Sequence, residues 1–421
     1  MKTRTDLLSQ FSLSAMLPIV RFAYGFALAA ILTKYLTVEA YGNWSLFISL
    51  VGLILTFASL NLMYASNVLL TGKERAVQRR EIFSVGVTRF TSTVFVYIVF
   101  VIFLSHYEVL DSSLLLLLLA ALVFRTVCDF CFGLFRALLL LRGQVVFLLG
   151  ESCLIIVSLL LSCYVFDAGL HGALFGFLAA ELAAAMLGLY LLRDYLSPAA
   201  FDYTAVKKYL AVGLPLVPFA FSDLIVNALV PLLIKLYDGL EAVAFYSIAQ
   251  KVALVATVPS AIVNNIYAQH LRKSRLSVDG RGVRGTFFLF LTSYFALAGP
   301  LLVILYFFGD EVIRIISTDV YVHVHGLMLL LIIVNMLVSV GSMLTTVFAV
   351  YERTRTAGWI WLGVLVVFLV SSRYCYDRWE VSGVVYALIA AFGLGLLLIG
   401  AAVIRLQQSI RRGRNVGNLS G

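Results

Sequence analysis

The chain has 421 residues, 62% of them hydrophobic and only 13% charged, with a formal net charge of +9 and a mean hydropathy of +1.01. That is more apolar surface than a water-soluble fold can cover with polar groups, so the composition excludes a soluble globular protein and specifies an all-α integral membrane protein. Each crossing takes about 20 mainly apolar residues, because every backbone N–H and C=O must be bonded within the segment.

In chain order, twelve apolar runs are expected to be transmembrane helices. Six lie near residues 12–33, 43–70, 82–105, 113–140, 144–166 and 170–192. Six more lie near 209–235, 242–267, 286–308, 326–350, 358–372 and 382–404. The first run follows MKTRTDLLSQ without a small-residue cleavage site and reads as a retained helix, not a signal peptide. The eleventh, WIWLGVLVVFLVSS, is the shortest. The longest connections, 193–208, 268–285 and 309–325, are too short to fold alone. The expected organisation is a six-helix bundle over 1–197, a cytoplasmic connector over 198–208, a second six-helix bundle over 209–405 and a basic cytoplasmic tail over 406–421.

Basic residues orient these spans. With both termini in the cytoplasm, the loops on that side hold Lys73, Arg75, Arg79, Arg80, Lys207, Lys208, Arg272, Lys273, Arg275, Arg281 and others, whereas the opposite loops hold only Lys34, Arg314, Arg373 and Arg378. This is a positive-inside pattern. The net positive charge is therefore accounted for by topology and contact with anionic lipid headgroups, and needs no nucleic acid.

One phrase occurs twice. VEAYGNWSLF begins at Val38, and LEAVAFYSIA begins 202 residues later at Leu240. Each copy follows the first helix of a half, on the outer face at the start of the next helix, where Glu39 and Glu241 meet a positive helix N-terminus. Six spans per half in the same order indicate two bundles related by a parallel internal repeat, with a central cavity between them.

The stretches LTVEAYGNWSLFISLVGLILTFASLNL and YLAVGLPLVPFAFSDLIVN, with LYDGLEAVAFYSIAQKV, resemble the Wzx-type polysaccharide and O-antigen flippases of the multidrug/oligosaccharidyl-lipid/polysaccharide exporter superfamily. The resemblance extends over nearly the whole chain. An acidic-basic pair found in many relatives is replaced here by ALVPLLI (228–234), so no role of that pair passes to Val230 or Pro231. The resemblance implies a transporter, not an enzyme, in the bacterial inner (cytoplasmic) membrane, with no cofactor. It would move an undecaprenyl-diphosphate-linked oligosaccharide, a repeat unit of lipopolysaccharide O-antigen or another surface polysaccharide, from the inner to the outer leaflet by alternating access. A proton or sodium gradient would drive it, with polysaccharide polymerase and chain-length proteins as further partners.

Such a substrate needs a wet, partly cationic cavity, and intramembrane charges are costly enough to mark one. In the fourth span, SSLLLLLLAALVFRTVCDFCFGLFRALLLL, Arg125, Asp129 and Arg136 fall within about 40° of one another at 100° per residue. Either Arg125 and Asp129 pair as i, i+4 partners while Arg136 snorkels to headgroups, or the stripe lines the cavity and an Arg holds phosphate with its planar fork. Arg21 follows Pro18 in mid-span, and the residue 202 positions on is Asp223. These two are either an ion pair between the halves or a diphosphate site facing an ion site. Lys251 and Glu181 complete the deep set. The substrate candidates are thus Arg21, Arg125, Arg136 and Lys251, and the ion-coupling or structural carboxylates are Asp129, Glu181 and Asp223. Arg89, Glu151 and Lys235 lie near the expected helix ends, where snorkelling accounts for them. Asn61, Asn227, Asn264, Asn265 and Asn335 suit either sugar hydroxyls or helix-to-helix hydrogen bonds.

Other motifs lead nowhere. Cys128 and Cys131 have redox spacing but lie mid-membrane, as packing. His323 and His325 belong to a polar outer loop, and no metal site is expected. No phosphate-binding loop is present, so ATP is not the direct drive. A polymerase or glycosyltransferase would need a larger outer loop, and a multidrug cation antiporter of the same superfamily would favour carboxylates over arginines in its cavity.

Overall fold

Every regular element among the described residues is helical. The structure is a computed structural model and describes residues 4–70, 73–166, 169–196, 199–264, 267, 282–351 and 354–417. Asn265 and the basic Arg272, Lys273, Arg275 and Arg281 lie outside them.

The first elements are α1 (Arg4–Tyr35), α2 (Val38–Ala58), α3 (Leu62–Leu69), α4 (Arg75–His106), α5 (Ser112–Ala137), α6 (Leu141–Leu160) and α7 (Gly169–Leu191). Next come α8 (Tyr203–Gly213), α9 (Phe221–Leu224), α10 (Val230–Tyr237) and α11 (Leu240–Ala253), which runs on through one 3-10 turn to Asn264. The last are α12 (Gly282–Ile316), α13 (His325–Val350) and α14 (Thr354–Gly417). Among the described residues, ten stretches are long and apolar enough to cross a membrane. Their outer surfaces carry side chains such as Leu116 (70% exposed), Leu397 (74%) and Val370 (76%), which water would not tolerate in such density but hydrocarbon does.

Two departures reconcile ten stretches with twelve expected crossings. The tenth stretch, Thr354–Leu406, is 53 residues long, more than twice what one crossing needs. It bends at Trp379 and Glu380, the latter with φ 53°, so the eleventh and twelfth spans are two arms joined by a sharp bend. The eleventh also runs beyond 372: Arg373 and Arg378 sit on its helical extension and not in a loop. The seventh expected span, 209–235, is missing from the ten because it is broken. α8 gives way to a 3-10 segment (Leu214–Ala220), then α9, then a π segment (Ile225–Leu229), then α10. Pro215 and Pro218 explain the first break, since proline lacks a donor and its ring clashes with the preceding turn.

A further correction concerns 309–325, expected as a loop. α12 continues through it to Ile316 after a non-helical Phe308, and Asp319–Val324 forms a 3-10 turn. Phe308 ends the apolar crossing, and the helix resumes because nothing in DEVIRII opposes it.

The chain groups into two compact units. One comprises Met1–Ala220, Val226–Ser247 and Ile316–Thr318, and the other Phe221–Ile225, Ile248–Ile315 and Asp319–Gly421. The first unit thus runs past the connector placed at 198–208, because α8 packs on α3 and α4. Both copies of the repeated phrase open helices in that unit. Thr37 caps α2, its hydroxyl accepting from the Ala40 N–H at 3.3 Å, while Leu240 opens α11 after Gly239 at φ 98°. The two copies also touch: a Cβ on Gly42 would overlap the Leu240 carbonyl oxygen. α2 stops short of its expected end, with Leu60 (φ 45°) and Asn61 (φ 52°) both left-handed before α3. Ser92 donates to the Ala58 carbonyl at 2.6 Å, satisfying a group the break would otherwise leave bare. Behind α3, Leu62, Ala65, Cys128, Cys131, Phe135, Phe147 and Tyr209 form a dry core.

The second unit is held by neutral polar bonds. Asn335 donates to Gln250 at 3.1 Å, Asn264 to Ser342 at 3.1 Å and Thr346 to Asn264 at 3.0 Å. For Asn264 and Asn335 the helix-to-helix use is the observed one.

Candidate ion and substrate site

The ionic interior lies in the first unit, and it is built around the α5 stripe. α5 is apolar from Ser112 onward, so each charge on it must meet a partner from a neighbouring helix or face an aqueous space. Arg125 meets three carboxylates. Its Nη1 bonds Glu151 of α6 and Glu181 of α7 at 2.9 Å, and its Nε lies 3.3 Å from Asp129 one turn on. Asp129 in turn lies 3.5 Å from the Arg89 guanidinium of α4. Glu181 is fully buried, Glu151 8% and Arg89 6% exposed, whereas Arg125 (29%) and Asp129 (33%) retain an open side. The carbonyl of Glu181 also accepts from the Cys128 thiol at 3.5 Å.

Two guanidiniums therefore share three carboxyl groups, one acid more than there are cations in the set. One Glu181 oxygen, Oε2, is buried with no hydrogen-bond partner among the described residues. A buried carboxylate with an idle oxygen is a place for a proton or a small cation. The i, i+4 pairing of Arg125 with Asp129 is present, but as one edge of a larger network.

Sequence reasoning set aside Arg89 and Glu151 as residues near helix ends, and the structure corrects this. Glu151 is eleventh in α6 and buried, and α4 begins at Arg75, seven residues before the expected span, which draws Arg89 into the packed interior. The available signal was the count itself: a 20-residue apolar helix with a single carboxylate at its centre.

Arg21 and Arg136 differ from Arg125. Arg21 is exposed on α1, with its guanidinium 4.4 Å from the Phe132 ring centroid. Arg136 is exposed in the last turn of α5. Asp223 is exposed on α9 and Lys251 is half-buried on α11, both in the second unit. Lys235 lies in the last turn of α10, at a helix end as the sequence suggested. Cys128 and Cys131 are buried free thiols. His325 Nδ1 pairs with Asp310 at 2.9 Å, and among the described residues no group of three His, Cys, Asp or Glu is placed to hold a metal ion.

At the basic end of the same unit as the α5 network, Asp202 caps α8, its Oδ1 accepting from the Ala205 N–H at 3.0 Å. That bond, with Arg80 nearby, holds its carboxyl below the usual range.

No family model matches the chain, and no curated protein matches it. Solved structures do. An inward-facing multidrug resistance MATE family transporter of the MOP superfamily superposes with a TM-score of 0.72 at 16% identity, covering 94% of this chain and 99% of the other. The MATE multidrug transporter DinF-BH gives 0.68 at 15% identity over 96% of each chain. The lipid II flippase MurJ, in an inward closed conformation, gives 0.68 at 14% identity over 93% of this chain and 87% of its own. These neighbours are transporters and flippases, not enzymes. With its helices, its two units and its broken and bent spans, the chain has the multi-pass membrane fold, two repeats of six spans, that MATE transporters and MurJ share.

Proposed function

We propose that the chain is a flippase for a lipid-diphosphate-linked oligosaccharide, coupled to a proton or sodium gradient, as the Wzx-like sequence pattern implies. The observation that carries this reading is the division of labour among the arginines. Arg21 and Arg136 are exposed cations that, among the described residues, make no ion pair with the α5 network, and a diphosphate carries two negative charges to be met by such donors. Arg125, on the same stripe as Arg136, is bound to carboxylates from three helices and reaches a phosphate only by leaving one of them.

That competition is the coupling chemistry. With Glu151, Glu181 and Asp129 ionised, they retain Arg125. Protonation of Glu181, or a cation taken between the carboxylates, weakens that hold and frees the guanidinium for the diphosphate. Conversely, a bound diphosphate that draws Arg125 away leaves the carboxylates uncompensated and raises their affinity for a proton. The linkage is reciprocal, as any coupling between two sites must be. Lys251 remains a substrate candidate and Asp223 an ion-coupling or structural carboxylate, both in the second unit.

A second reading has its own support. The surplus of carboxylates in the α5 network suits an organic cation, which is the substrate class of a multidrug antiporter. A binding comparison on the purified protein separates the two. A short-chain lipid diphosphate that binds, and loses affinity in Arg21→Ala and Arg136→Ala, supports the flippase. Binding of an organic cation lost in Glu181→Gln, with no binding of the diphosphate, supports the antiporter.

A further inference from the structure

The first turns of α4, at the basic end of the first unit, hold several separate pieces of chain. Gln78 donates to the Leu70 carbonyl at 3.2 Å, and Arg79 donates twice to the Asp194 carbonyl, at 3.1 and 2.7 Å. Arg80 lies 3.4 Å from Asp202, and Ser84 accepts from the Asp202 N–H at 2.8 Å. Glu81 makes the buried contact of the group. It takes Lys73 Nζ at 2.6 and 2.7 Å and the Tyr209 hydroxyl at 2.8 Å. The Glu81 side chain is 10% exposed and Tyr209 1% exposed. Exposed ion pairs contribute little, but a buried carboxylate that loses its partners is costly. Lys73 lies beyond the end of α3 (Leu62–Leu69), its N–H donating to the Leu70 carbonyl at 3.4 Å, and Tyr209 lies within α8, so Glu81 ties α8 and the chain that follows α3 to α4.

An independent observation concerns where those helices end. α3 begins at the left-handed pair Leu60 and Asn61, and α8 ends at Gly213, where the chain turns 3-10. These two breaks touch: a Cβ on Gly213 would lie 2.5 Å from the Leu60 carbonyl oxygen and 3.2 Å from the Asn61 carbonyl carbon. Along their length α3 and α8 pack on each other. Two stiff segments, joined side by side, thus share one non-helical joint at one end, and α4 holds them at three places: Lys73 past α3, Asp202 at the start of α8, and Tyr209 one turn before the joint. Joints of this kind absorb the φ/ψ change of a hinge while the helices move as rigid bodies.

We propose that α3 and α8 form a single gate element, hinged at the touching breaks Leu60–Asn61 and Gly213–Leu214 and latched to α4 by the Lys73–Glu81–Tyr209 triad. The latch rests on the reading of the chain as an alternating-access transporter but not on the identity of its substrate. When Glu81 is tied, the basic ends of the second and seventh spans are held against α4. When it lets go, both swing together, because the α3–α8 contact and the shared joint leave neither free to move alone.

Amide hydrogen exchange on the purified full-length protein in lipid nanodiscs tests this. Glu81→Gln is expected to raise exchange about tenfold in peptides covering both 62–69 and 203–213, with α5 unchanged, because local opening follows the tie that is removed. Tyr209→Phe keeps the ring and loses only the hydroxyl bond, and should loosen the same two peptides to a smaller extent. It also provides the measurement if the Glu81 variant is not recovered. Wild-type exchange in both variants, or loosening of one helix without the other, overturns the proposal. Paired loosening in a protein that moves no lipid diphosphate supports the latch and sinks the flippase reading instead.

Discussion

At the residue scale, Arg125 decides what the interior can do. A guanidinium with Glu151, Glu181 and Asp129 around it ties three helices together and, in the proposed function, is also the coupling element, and substitutions separate these roles. Arg125→Leu leaves three buried or half-buried carboxylates without their shared cation, a loss of about 3–5 kcal/mol for a broken buried pair. Replacing Asp129 as well does not rescue it, because Glu151 and Glu181 remain. The double variant Arg125→Leu with Asp129→Leu is therefore expected to stay low in membrane abundance on immunoblots, and recovery to wild-type abundance would show that the two glutamates do not depend on Arg125. Arg125→Lys retains the charge but gives up the fork that serves three partners. Normal abundance with transport reduced at least tenfold is the expected result. Arg21→Ala should behave differently again: its guanidinium rests on Phe132 with an exposed side, so abundance should hold while capture of a lipid diphosphate falls.

At the element scale, the informative features are places where helices stop. α8 starts sharply because Asp202 accepts from the Ala205 N–H, and the depressed carboxyl means the cap is present above the ordinary aspartate range and is lost only as pH falls below it. Asp202→Ala should raise amide exchange in residues 203–206 at neutral pH, whereas an Asn, which accepts the same bond, should not. The close approach of the two repeated phrases is equally local. Gly42 abuts the Leu240 backbone, so Gly42→Val must push two helix starts apart, at an overpacking cost of about 1–3 kcal/mol. A lowered melting temperature in detergent is expected, and an unchanged one would mean that the contact yields freely.

For the whole molecule, the predictions concern membrane and cargo. Reporter fusions at Arg79, Lys207 and the C-terminus are expected to read as cytoplasmic, and fusions at Asp111 and Asp319 as external, from the distribution of Lys and Arg. A cytoplasmic reading at Asp319 would contradict the twelve-crossing topology. Deleting the gene in its host should strand intact lipid-linked repeat units on the inner leaflet. Single units reaching the surface unpolymerised would instead point to a polymerase.

Much was legible in the sequence because a bilayer imposes one-dimensional rules. Roughly twenty apolar residues make a crossing, basic loops orient it, and a phrase repeated at a constant offset marks a duplicated bundle. These are properties of segments, so the span order, the helix starts at Val38 and Leu240 and the charged stripe of α5 could all be read without coordinates. What the tertiary structure alone decided is which charges meet. Glu151 and Glu181 lie 26 and 56 positions from Arg125, and nothing in periodicity tells that α6 and α7 turn those carboxylates toward α5 and not toward lipid. Nor could composition show that α3 and α8 break where they touch, since Leu60 and Asn61 carry no proline signal and their close approach to Gly213 exists only once the helices are packed. Pairing between helices is set by rotation about each axis and by close packing, and those are fixed when the helices assemble.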